Sequence, residues 1–176
     1  MDRVKIIECP RDAMQGIKSH FIPTELKAQY INMLLKVGFD TIDFGSFVSP
    51  KAIPQMRDTA AVLKQLDITS TQSKLLAIVA NVRGAKDAVQ FEEIDYLGYP
   101  FSISENFQMR NTGKTIDQSI FILDKLLNIV AKTDKEVVAY LSMGFGNPYG
   151  DPWSVDIVGE WTHKLVDMGI KILSLS

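Results

Sequence analysis

Three observations predict a parallel α/β fold, and within it a (β/α)8 TIM barrel truncated after strand six. First, strand-like and helix-like segments alternate along all 176 residues. A strand that follows a helical crossover re-enters the sheet in the same direction, so this alternation implies parallel pairing. Second, neither G-x-G-x-x-G nor G-x-x-x-x-G-K-[ST] occurs, so the common nucleotide signatures of open doubly wound sheets are missing. Third, every strand with a following loop delivers polar side chains at its C-terminal end. These are Arg11 and Asp12, Asp43 and Ser46, Asn81, Ser104 and Glu105, then Ser142 and Asn147. In a closed barrel these ends converge on one mouth, whereas an open sheet concentrates its site at a single switch point.

The first strand is expected over 4–9 (VKIIEC), a β-branched run ended by Pro10. A helix follows over 24–38, where Leu26, Tyr30, Met33, Leu34 and Val37 recur at helical spacing. Thr24 is its expected N-cap and Gly38 its stop. The second strand is 41–46 (TIDFGS), the next helix 53–67, and the third strand 73–81 (SKLLAIVAN). A short helix near 82–91 leads to a strand over 93–101. The clearest helix is 115–133, with Ile116, Ile120, Leu123, Leu127 and Val130 on one stripe. Strand 136–144, a helix over 153–169 with Val155, Val158, Leu165 and Met168 inward, and strand 171–176 complete six strands and five intervening helices.

Composition narrows the function. Hydrophobic residues make up 46% and charged residues 23%, which is ordinary for one globular domain spanning 1–176. A net charge of −2 gives no electrostatic case for nucleic acid or an anionic membrane. The longest apolar run, Leu75 to Ala80, is too short to span a bilayer. No signal-peptide pattern opens the chain, so a cytoplasmic domain is expected. Cys9 is the only cysteine, which excludes an intrachain disulfide and a Cys-based zinc cluster. It reads as a small core hydrophobe inside the first strand. His20 and His163 are not spaced as a metal pair, and Trp153 and Trp161 read as helix packing.

The chemistry rests on a few side chains. Asp12 is a hard oxygen donor suited to Mg²⁺ or Mn²⁺. Arg11 can neutralise an oxyanion or grip a carboxylate. Equally, the two can form an ion pair that ties loops at the rim. Asp43 needs a partner, since an unpaired carboxylate at a buried strand end is costly. It can orient Arg11, act as a base, or bond backbone donors. Asn81 and Arg83 fit ligand binding, or a helix cap and a solvated cation. Glu105 fits the mouth or a rim salt bridge. Ser142 precedes a Gly-rich turn through which backbone can approach a ligand.

The sequence then resembles a known family. "IIECPRDAMQ" is similar to the E-V-G-P-R-D-G-L-Q opening of 3-hydroxy-3-methylglutaryl-CoA lyases. "TIDFGSFVSPKAIPQMRD" resembles their I-E-x-x-S-F-V-S-P-K-x-x-P-Q-M-x-D block, and Ser46 to Pro54 is its most specific part. "ANVRG", "SISENFQMRN" and "YLSMGFGNPYGD" follow in the family's order, so the likeness covers essentially the whole chain. The resemblance implies a metal-dependent TIM-barrel lyase. Its reaction is the retro-Claisen cleavage of 3-hydroxy-3-methylglutaryl-CoA to acetoacetate and the enolate of acetyl-CoA. It implies Asp12 as a metal ligand and Arg11 and Asp43 as catalytic. It also implies Gln15, Asn81, Arg83, Glu105 and Ser142 as substrate-binding, an acyl-CoA partner, and a possible homo-oligomer. Three departures stand out: Ala13-Met14 for Gly-Leu, Asp43 for Glu, and Asn147 in the turn before Pro148-Tyr149. The family's His-x-His metal ligands and later cysteine have no counterpart here, so the expectation is a partial barrel with an incomplete divalent-metal shell. A related acyl-CoA aldolase or condensing enzyme, and a non-catalytic barrel remnant, are the competing readings.

Overall fold

The computed structural model describes residues 4–176. Six parallel strands, β1 (Ile7–Glu8), β2 (Thr41–Ser46), β3 (Lys74–Ile78), β4 (Tyr96–Ser102), β5 (Glu136–Ser142) and β6 (Ile172–Leu175), lie in sequential order. Sequential order with helical crossovers is the topology of a (β/α)8 barrel, and the sheet curls into a half-barrel.

Two apolar layers flank the sheet. Outward-facing strand residues such as Phe44, Leu97, Tyr99 and Leu141 pack under the helices and form the main core. Inward-facing Leu76, Ile78, Tyr96 and Val138, with Tyr140 and Ile172 beside them, form the smaller interior cluster. The alternation follows from the two-residue period of a strand. In β2 the register slips between Asp43 and Gly45, the mark of a β-bulge. Bulges re-aim side chains, and this one lies at Asp43.

The helices are α1 (Pro10–Gln15), α2 (Thr24–Val37), α3 (Thr59–Leu63), α4 (Val82–Ala88), α5 (Glu105–Thr112), α6 (Ile116–Val130) and α7 (Val155–Asp167). Two of them, α1 and α5, were not expected from periodicity. The expected helix 53–67 is broken into a 3₁₀ turn at Pro54–Met56 and the short α3. The first strand is also far shorter than expected. Cys9 is therefore not inside a strand; it precedes Pro10 as the N-cap of α1 and is half-buried.

Helix α6 buries Ser119, Leu123, Leu126 and Val130, close to the expected stripe. Thr115 and Gln118 form a capping box at its start. Helix α2 is rotated from expectation: it buries Lys27, Ala28, Ile31 and Leu35. Leu26, Tyr30, Met33 and Val37 are 40–65% exposed. In α7 Leu165 is buried, but Val155 is exposed. Trp161 packs on Phe101 with ring centroids 5.2 Å apart, as helix packing predicts. Trp153 instead sits in the preceding loop, its indole donating to Gly144 O at 3.0 Å.

Candidate active site

The mouth is built on α1. Pro10 at its first position has the φ of a helix and no N–H to satisfy. Met14 is buried in the core and sets the helix's rotation. Arg11 is thereby turned to Asp43, inside β2. Its Nε donates to both Asp43 oxygens at 3.1 Å and its Nη2 donates to Oδ2 at 2.5 Å. The third nitrogen, Nη1, donates to Asp12 Oδ1 at 3.0 Å, and Gln15 Nε2 donates to the same oxygen at 2.6 Å. Asp43 is fully buried and the Arg11 side chain 11% exposed, while the Asp12 side chain is 64% exposed.

Burial pushes the Asp43 carboxyl up, and the Arg11 guanidinium pulls it back toward ionisation. Burial lowers Arg11, but its bonds to Asp43 outweigh this and hold it above its ordinary value. The geometry is that of a charged pair whose anion is spent on orienting the cation.

Two side chains join this group without having been expected there. Tyr140, inward on β5, is pushed up by burial and by the negative charge of Asp43. Cys9 is also raised by burial and by Asp43, so its thiol stays protonated beside the pair. The alternation Val138, Tyr140, Ser142 along one strand places Tyr140 on the face of Ser142, and was the signal available in the sequence.

The other expected residues divide. Ser142 ends β5 at the mouth, where it accepts a bond from the Ser176 hydroxyl at 3.2 Å. Met143, next to it, is the only non-glycine at positive φ among the described residues, at 63°. Asn81 is the N-cap of α4, accepting from Gly84 N at 2.9 Å. Arg83 is 91% exposed and faces Asp87 along the same helix at 3.7 Å. Glu105 accepts from the Ile116 N–H at 3.0 Å and so ties α5 to the start of α6. Asn147 braces its own loop, accepting from the Tyr149 and Asp151 amides. Asp151 in turn accepts from the Ser104 hydroxyl and Asn106, which hold it below the usual carboxylate range. Asn81, Arg83 and Glu105 thus make scaffold contacts and do not join Arg11.

Asp12 is the accessible carboxylate of the mouth, since Asp43 is occupied by Arg11. Among the described residues no three His, Cys, Asp or Glu side chains lie together in a way that could enclose a metal ion. The donors present therefore do not make up a divalent-metal site. Among the described residues no helix is long and apolar enough to cross a membrane.

No family model matches the chain. Its sequence is similar to the mitochondrial hydroxymethylglutaryl-CoA lyase of Rattus norvegicus, 34% identical over 176 residues, covering 98% of this chain and 53% of the relative. Its fold superposes on the Bacillus subtilis HMG-CoA lyase with a TM-score of 0.90 and 34% identity, covering 98% of this chain and 57% of that one. An HMG-CoA lyase from Acinetobacter baumannii, solved in complex with coenzyme A and 3-methylmalate, superposes with a TM-score of 0.88 and 28% identity, covering 97% and 55%. The chain spans about half the length of the curated relatives it matches. In sequence and in fold, the chain is similar to hydroxymethylglutaryl-CoA lyases over nearly its whole length.

Proposed function

We propose that the chain supplies the arginine end of a lyase that cleaves 3-hydroxy-3-methylglutaryl-CoA to acetyl-CoA and acetoacetate. The observation that carries this reading is Arg11, locked by a buried Asp43 with Asp12 beside it on the same short helix. As the C–C bond breaks, negative charge develops on the thioester oxygen of the departing enolate. A guanidinium fixed in advance meets that charge without reorganising, an effect worth about 10²–10³ in rate for a single oriented donor. Asp43, buried behind Arg11, is a positioning residue in this reading. Gln15 holds the outward carboxylate of Asp12, which is offered as one oxygen ligand to the Mg²⁺ or Mn²⁺ that the resemblance implies. Gln15 and Ser142 stand where substrate would enter and keep the role of substrate contacts. The coenzyme A found in the Acinetobacter baumannii relative supports an acyl-CoA substrate.

The test is a pair of substitutions in the protein that carries this chain. Asp12→Ala is expected to abolish metal-dependent turnover and weaken metal binding by calorimetry. Arg11→Met is expected to keep metal binding and lose acetoacetate formation, by about 10²-fold or more. Unaltered metal affinity in Asp12→Ala would remove the ligand assignment, and full activity in Arg11→Met would remove the reading itself.

A further inference from the structure

The most specific stretch of the sequence, the block running into Pro54-Gln55-Met56, has no part in the chemistry above. Its glutamine is 4% exposed and reaches back to the loop between α1 and α2, 33–38 residues earlier. Gln55 Nε2 donates to Ile17 O at 2.8 Å and to His20 O at 2.5 Å, while its Oε1 accepts from Ile22 N at 3.1 Å. Both amide hydrogens and the carbonyl are thus used, all on one loop. The two carbonyls and one N–H of that loop admit only this orientation of the amide.

The neighbours of Gln55 serve the same loop. The backbone carbonyl of Gln55 accepts from Lys27 Nζ, and Lys27 pairs with Asp58 at 2.7 Å. Asp58 also accepts from the Thr24 hydroxyl at 2.7 Å, holding the first turn of α2. The Phe21 ring lies between two cations, Lys27 Nζ at 4.1 Å and Arg57 Cζ at 3.8 Å from its centroid.

This clamp matters because, apart from the buried Met14 and the Arg11–Asp43 pair, it is what ties the end of α1 to the rest of the chain. A six-residue helix has no stability of its own. The strand before it spans only Ile7–Glu8. Ile17, the first residue clamped, donates its N–H to Met14 O and so joins the loop directly to the end of α1. We infer that Gln55 is a positioning residue that holds Arg11 at the mouth by clamping the loop at the C-terminal end of α1. The inference rests on the reading of Arg11 as the reactive group, but its test does not need turnover.

The test compares the wild-type protein that carries this chain with its Gln55→Glu and Gln55→Leu variants. Gln55→Glu keeps the shape and the acceptor for Ile22 N–H but sets oxygens against the two loop carbonyls. Phenylglyoxal labelling of Arg11 is followed by mass spectrometry, with the exposed Arg83 as internal reference. Amide exchange is read in parallel over 17–22 and over β3 and β4. Both variants are expected to raise Arg11 labelling relative to Arg83 by about tenfold or more, as the loss of several hydrogen bonds to one loop implies. Loop 17–22 should lose protection while β3 and β4 keep theirs. Should Gln55→Leu expose β3 and β4 as well, Gln55→Glu decides. An unchanged Arg11 rate, or an unchanged loop, in Gln55→Glu would overturn the inference. In the protein that carries this chain, a kcat loss at constant KM is expected. Faster Arg11 labelling in a protein whose wild type has no lyase activity would instead keep the clamp and reject the lyase reading.

Discussion

Arg11 is held by a fully buried carboxylate on one side and an exposed one on the other, and the two contacts differ in energetic consequence. Removing Asp43 leaves a largely buried guanidinium without its counter-ion. Asp43→Ala is therefore expected to cost about 3–5 kcal/mol in urea unfolding. Asp12→Ala should change stability by no more than about 1 kcal/mol, as for an exposed pair. Tyr140 supplies a pH signature. Its phenol is raised in the folded chain, so between its unfolded value, about 10, and its higher folded value the unfolded state binds fewer protons. That contribution to stability is complete below about pH 10 and is lost as pH rises toward the folded value. Tyr140→Phe should flatten the alkaline fall in unfolding free energy; an equally steep fall in the variant would contradict it. Arg11 and Asp12 were legible as a charged pair following the first strand, and Asp43 as a carboxylate set among the apolar residues of β2. Tyr140 was not, because it lies within a strand and the polarity rule looks only at strand ends.

At the scale of elements, what the sequence hid was short or charged. Helix α1 is too brief for a period to show, and α5 buries only Gln108. In α2 the visible apolar stripe points outward, because the face that packs contains Lys27, whose ammonium is satisfied by Asp58 and the Gln55 carbonyl. A lysine in a buried stripe disguises the stripe. The two faces predict opposite outcomes. Leu35→Ala, fully enclosed, should cost about 2–5 kcal/mol. Met33→Ala, 62% exposed, should stay within about 0.5 kcal/mol. Equal losses measured by thermal unfolding would restore the stripe read from sequence. By contrast, α6 lies close to its expected orientation: Leu123 and Val130 of the expected stripe are buried, and Ile116, Ile120 and Leu127 are partly buried against the core.

For the whole molecule, the six-stranded sheet ends on two strands that each have one neighbour, β1 and β6. Around β1, Val4, Ile6 and Ile7 are 48–84% exposed, and Leu175 on β6 is 47% exposed. Free strand edges of this composition pair with other chains. The 176-residue chain made alone is therefore expected to self-associate and to bind an apolar dye. A single monomeric species in light scattering, with cooperative unfolding and no dye binding, would show the unit to be complete. The same chain is expected to show no lyase turnover with Mg²⁺ or Mn²⁺ supplied, because among the described residues the carboxylates and imidazoles do not assemble around a cation.

The sequential order of the strands has a further consequence, in time. Each strand pairs with the one synthesised just before it. The side-chain hydrogen bond of widest separation among the described residues, Ser104 to Asp151, spans only 47 residues. Among the described residues no segment pairs with one made much later, so structure within them can accrue on the ribosome one crossover at a time. Nascent chains stalled at successive lengths should gain protease resistance in increments of roughly one β/α unit, about 30 residues each. Resistance that appeared all at once, at full length, would mean that the first strands are held open until the last has been made.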